Sequence, residues 1–247
     1  MKDSKVFYYT IGILIIFLSW LIGAYITNDS FILPTMSETF LRLFNLLKQS
    51  NTYLSIFNTV GVLLILLVIA FIIAMTLALL SIKSSIFKQV ITPLLALLKI
   101  VPLPALIILL LTHQTRTNVS ITLTSFMVIP LMYDILYGHL LSINQDIIDD
   151  VKLLSNFNGH ILIHVYLPLI SIGITTAFLQ AFGLGLKVKV MTEFVANAPK
   201  TIGYQLVFAA SSYAMDLVFA WSLILIIIVI ITDLIINLIL KKYQLNQ

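Results

Sequence analysis

Cysteine is absent from the 247 residues, which excludes disulfides, thiolate catalysis and cysteine-ligated metals while leaving the redox compartment open. Charge is nearly as scarce: 10% of residues are Asp, Glu, Lys or Arg, against about 25% in an ordinary soluble domain. The formal net charge is +4 and no basic run exceeds Lys241-Lys242, so nothing points to a nucleic-acid surface. Anionic lipid head groups account for the excess. Catalytic motifs are missing as well. There is no G-x-x-x-x-G-K-[ST] phosphate loop and no H-E-x-x-H, and there is no G-x-S-x-G. His160 and His164 are four apart and share a helix face, but no carboxylate lies between them and no third ligand is evident. We read no metal site and no catalytic site.

What is present is hydrocarbon. Hydrophobic residues make up 60% of the chain and the mean hydropathy is +1.10, more apolar surface than a water-soluble fold can hide. A helix needs roughly 20 apolar residues to cross about 30 Å of bilayer core. The runs that qualify are Val6 to Ile26, Tyr53 to Ile82, Val90 to Thr112, Val119 to His139, Leu167 to about Met191, and Leu217 to Leu240. The expectation is therefore an all-α integral membrane bundle of about six transmembrane helices, one transmembrane unit over residues 1–247. The first run is longer than a signal-peptide core and lacks a small-x-small cleavage site, so it reads as a retained span. Between the first two runs, Phe40, Leu41, Leu43, Phe44, Leu46 and Leu47 space an apolar stripe that predicts a short amphipathic helix at the membrane surface.

Lysine and arginine counts favour an N-in, C-in topology only by a narrow margin, which puts the loop at about 140–166 on the inner side. Ser142 followed by Gln145 is a capping-box pattern. Ile143, Ile147, Val151 and Leu154 fall on one helical face, Asp146, Asp149, Asp150 and Lys152 fill much of the rest, and Asn158-Gly159 supplies a stop. Such a helix either lies in the lipid interface or offers a surface that a soluble partner can grip.

At this loop the chain resembles the binding-protein-dependent transport permeases, the membrane subunits of ATP-binding-cassette importers. Their cytoplasmic signature runs Glu-Ala-Ala, three residues, Gly, then some dozen residues to Leu-Pro. Counting back from Leu167-Pro168, Asp149 falls on the Glu, Asp150 and Val151 on the two alanines, and Ser155 on the glycine. Other segments are similar, in the same order, to the branch that takes up nitrate, taurine, alkanesulfonates and vitamin precursors. These are Leu33-Pro34 with Ser37-Glu38, Lys99-Ile100-Val101-Pro102 in the third span, Glu193 ending the fifth and Asp233 in the last. The resemblance implies a homodimer-type pairing of two permease subunits in the cell membrane, a cytoplasmic ATPase seated on each coupling loop, and an external solute-binding protein. It also implies that ATP is held by the partner and no cofactor by this chain. An ion-gradient-driven secondary transporter is the rival reading, and it would couple through Asp134 or Asp233.

Charges inside spans need water or partners, because each costs roughly 2.5–3.5 kcal/mol at the bilayer centre on insertion scales. Depth along ideal helices places Lys99, Asp134 and Asp233 in the inner half, so Lys99 is expected to pair with Asp233 or Asp134 as an internal ion pair, with a substrate contact as the alternative. Lys187 and Lys189 are expected near the outer interface, where lysine snorkels. The alternative for one of them is a positive ring in the pathway, since residues two apart point about 200° apart on a helix. Glu193, four residues beyond Lys189, is placed to neutralise it. Pro102 interrupts the third span and either kinks it or lines the pathway.

Overall fold

The computed structural model describes residues 2–144 and 161–244, and all its regular elements are helical. Five helices are long and apolar enough to cross a membrane, six if one bent pair counts as a single span. The chain is an all-α membrane bundle. Its elements are α1 (Lys2–Thr27), α2 (Met36–Leu47), α3 (Ser50–Ile56), a π-helical turn (Phe57–Gly61), α4 (Val62–Lys83), α5 (Ser85–Ile100), α6 (Leu103–Leu111) and α7 (Arg116–Leu141). After the undescribed residues come a second π turn (Leu162–Tyr166), a single helical turn (Leu167–Leu169), α8 (Ser171–Ala196), α9 (Ile202–Ser211) and α10 (Met215–Gln244). The expected coupling residues Asp149, Asp150, Val151 and Ser155 lie outside the described residues. Leu167 and Pro168 form the turn that leads into α8, where proline needs no hydrogen-bond partner for its nitrogen.

The core forms where α4, α7 and α8 lie together, with Leu63, Leu67, Val128, Met132, Leu136, Ala177, Ala181 and Phe182 buried among them. Close approach is possible because α8 offers small residues to its neighbours. A Cβ on Gly185 would stand 2.9 Å from Leu63 and 3.1 Å from Val128, so a side chain there would push the three helices apart. Alternate crossings put Thr27, Ser50, Arg116, Ala196 and Met215 at one end of the bundle. Side chains agree: Asn58 Nδ2 donates to the Lys200 carbonyl at 2.8 Å and Arg116 to that of Asn197 at 3.3 Å. At the opposite, Leu141 end, Tyr133 donates to Ser81 at 2.9 Å and the Lys88 ammonium lies 4.9 Å over the Tyr137 ring, a cation–π contact.

The third apolar run is not one straight span. Its two helices, α5 and α6, meet at 90°, and the cause sits at the junction. Pro102 has no N–H to return to the turn before it, and it holds Val101 in an extended conformation, φ −64° and ψ 129°, as a residue before proline prefers. Pro104 then occupies the first turn of α6. Pro130, by contrast, lies inside an unbroken α7, so proline alone does not decide a break.

The expected surface helix is α2. Thr35 caps it: Thr35 Oγ1 accepts from the Glu38 N–H at 3.3 Å, and the Glu38 carboxylate accepts from the Thr35 N–H at 2.8 Å. The Thr35 N–H, and after it the hydroxyls of Ser30 and Thr35, hold the Glu38 carboxyl below its ordinary range. Arg42 binds α2 to the start of α10 through Asp216 at 3.1 Å. Trp20 of α1 donates to the Pro34 carbonyl at 3.0 Å and packs 5.5 Å from Phe219.

Candidate functional site

Among the described residues no three His, Cys, Asp or Glu side chains group as metal ligands. The chemistry of the chain lies in its membrane-level charges. Lys189 and Glu193 are one helical turn apart on α8, each with a side chain 1% exposed. Lys189 Nζ donates to Ser120 of α7 at 3.1 Å and stands 3.1 Å from Glu193 Oε1, an ionic contact out of line for a hydrogen bond. Glu193 Oε2 accepts from Thr59 Oγ1 at 2.8 Å and from the Gly203 N–H at 3.4 Å. Thr59 Oγ1 in turn accepts from the Ile202 N–H at 3.0 Å. The carboxylate therefore collects the first amides of α9 directly and through one hydroxyl, and an anion near a helix N-terminus is favoured by the dipole.

Sequence depth had placed Lys189 at the outer interface, but the structure buries it. Helix α8 runs on to Ala196, where Asn197 ends it in a left-handed conformation, φ 53°, so both lysines lie deeper than an end near Met191 implies. Lys189 is turned into the bundle and neutralised there. Lys187, two residues earlier, is exposed on the opposite face.

Nearer the other end, Lys99 Nζ lies 2.6 Å from Asp134 Oδ2. Both side chains stay about half exposed, at 41% and 51%, so the pair rests on a face that this copy of the chain leaves open. Pro102 is exposed at the break just beyond it. Asp233 is not brought to this group. It is exposed on α10 and has no hydrogen-bonding or ionic partner among the described residues.

A double-mutant cycle separates the acids. Lys99→Met and Asp134→Asn should couple by up to about 1 kcal/mol, the range for a solvated pair, while Lys99→Met and Asp233→Asn should be additive. Thermal unfolding of the detergent-purified variants measures both. A larger coupling to Asp233 than to Asp134 would overturn the pairing of Lys99 with Asp134.

The model of the family described as binding-protein-dependent transport system inner membrane component matches residues 70–244. Among solved structures, a bacterial ABC transporter involved in the import of the acidic polysaccharide alginate contains a similar chain. The TM-score is 0.68 at 16% identity, covering 98% of this chain and 96% of that one. The likeness is one of fold. No curated protein sequence matches the chain.

Proposed function

Because this chain belongs to the family of binding-protein-dependent transport system inner membrane components, we propose that it is the permease subunit of an ATP-driven ABC importer in the cytoplasmic membrane. Two permease subunits enclose the route and alternate between outward- and inward-open states. A solute-binding protein delivers the cargo to the Arg116 end, and separate ATPase subunits at the Leu141 end hold the ATP. The sequence branch suggests a small solute of the nitrate, sulfonate or vitamin-precursor kind.

The observation that carries this reading is the half-exposed Lys99–Asp134 pair on an open face of the bundle at membrane depth. Lipid is a poor neighbour for two charges, so a face bearing them belongs against water or a second subunit. An ion-gradient transporter is the other reading of acids at this depth, and dependence on a separate ATPase rather than on a gradient is what distinguishes the two. In the importer reading, the segment at about 140–166 seats in the ATPase, with Asp149 at the acidic position and Val151 on the apolar face.

Asp149→Lys and Val151→Asp are expected to insert normally and to lose the co-purifying ATPase or its stimulation by cargo, by tenfold or more. Both are measured in proteoliposomes beside the unaltered complex. Normal stimulation in both variants, or uptake driven by a proton or sodium gradient without ATP, rejects the coupling role.

A further inference from the structure

We propose that Lys187, with Gln180 and Thr176, lines an aqueous anion-binding stretch of the transport route, so that the cargo carries negative charge. This rests on the permease reading and specifies the cargo class for it. The three residues recur at helical spacing along α8, together with Gly183 between them, and so fall on one face. Gln180 and Lys187 are exposed and Thr176 and Gly183 half-buried. Lys187 has no hydrogen-bonding or ionic partner among the described residues.

Depth excludes snorkelling as the explanation for this lysine. Lys187 lies nine residues before the end of α8 at Ala196, about 14 Å along the axis and farther than its four-carbon stem spans. The end of α8 is itself recessed. Asn58 bonds the Lys200 carbonyl just beyond it, although the helical run containing Asn58 starts at Ser50, about 12 Å farther out. A cation and a carboxamide two turns apart on a lipid-facing stripe would go unsolvated.

A pairing across the subunit interface with Asp233 of a second copy is also disfavoured. Asp233 lies eighteen residues from the start of α10 at Met215, about 27 Å down and well below the level of Lys187. The neighbouring charge on α8 is already cancelled, because Lys189 is paired with Glu193. What remains on this face is one uncompensated positive charge with the Gln180 carboxamide two turns away, the Thr176 hydroxyl being already donated to the Ile172 carbonyl at 2.9 Å, and that charge attracts an anion.

The absence of cysteine makes the test direct and independent of cargo identity. Gln180→Cys is placed in the chain as purified from its membrane and held in lipid nanodiscs, which leave both faces open to reagent. Two membrane-impermeant thiol reagents are compared, 2-sulfonatoethyl and 2-(trimethylammonium)ethyl methanethiosulfonate. Ser212→Cys in the exposed turn before α10 and Ile69→Cys on the exposed apolar face of α4 are the aqueous and lipid references.

Gln180→Cys should react, and at low ionic strength, about 0.01 M, the anionic reagent should be favoured by up to about fourfold relative to Ser212→Cys, as one unit charge roughly 10 Å away in a watery medium gives. Adding Lys187→Gln should abolish that preference and Lys187→Arg should keep it. Reactivity at Gln180→Cys as low as at Ile69→Cys, or a preference unchanged by Lys187→Gln, overturns the proposal. Whether an ATPase co-purifies is read separately, so loss of the importer reading is not confused with loss of the anion site.

Discussion

Replacing Lys189 with methionine is expected to cost the protein about 3–5 kcal/mol, the usual penalty for removing one member of a buried ion pair. Methionine fills nearly the same volume, so the loss is electrostatic rather than a cavity. Glu193 would be left with a side chain 1% exposed and with only Thr59 and the Gly203 N–H to satisfy it. The remedy is specific. Lys189→Met with Glu193→Gln removes the stranded charge while keeping an amide oxygen for the same donors, and it should recover most of the loss. Denaturant or thermal unfolding of the detergent-solubilised variants measures both, and a single variant as stable as the double would show that the pair is not charged in the folded protein.

Gly203→Ala should be the most damaging single methyl group among the described glycines. A Cβ there would collide with Glu193 Cβ and stand 2.5 Å from the Phe194 nitrogen and 2.7 Å from the Glu193 carbonyl carbon. Two of these are main-chain atoms of α8, which cannot swing aside as a side-chain tip does. The start of α9 must then lift off the end of α8, breaking the bond from Gly203 to Glu193 and with it the packing around Ile202. The expected cost is at or above the 1–3 kcal/mol common for overpacking, seen as a lowered unfolding temperature and faster proteolysis near residues 197–201. Gly138→Ala is the control. Its Cβ meets nothing within 4 Å, and in a helix alanine should be neutral or slightly stabilising.

The long spans were legible because apolar runs of bilayer length have few other uses. Their ends were not, since helix continues into polar sequence wherever a cap permits. Thr115 accepts from the Asn118 N–H at 3.4 Å and so starts α7 at Arg116, ahead of the apolar run at Val119. At the far end of α8, Asn197 rather than hydropathy sets the stop, and missing it displaced both lysines outward. Helix α9 was missed for a related reason: its ten residues are too few for a span, though Thr201 caps it by accepting from the Tyr204 N–H at 3.2 Å. The partnership of Lys189 and Glu193 was legible in their spacing, but burial depends on which face of α8 meets α7, and composition alone does not orient that face. The choice of Asp134 over Asp233 for Lys99 likewise waits on tertiary packing.

The π turn at Phe57–Gly61 bears on how this segment can change in descent. A π turn holds one residue more than an α turn, so it amounts to a single inserted residue within the run from Ser50 to Lys83. Removing one codon there would leave the span long enough to cross the bilayer and let the wide turn close to an α turn with its flanks near their present register, but it would shift the side chains carried within the turn. Thr59 would then no longer face Glu193, nor Asn58 the Lys200 carbonyl. In this stretch chain length is thus constrained more tightly than residue identity. Lineages can exchange the exposed side chains of the turn, such as Phe57, far more freely than they can lose a position.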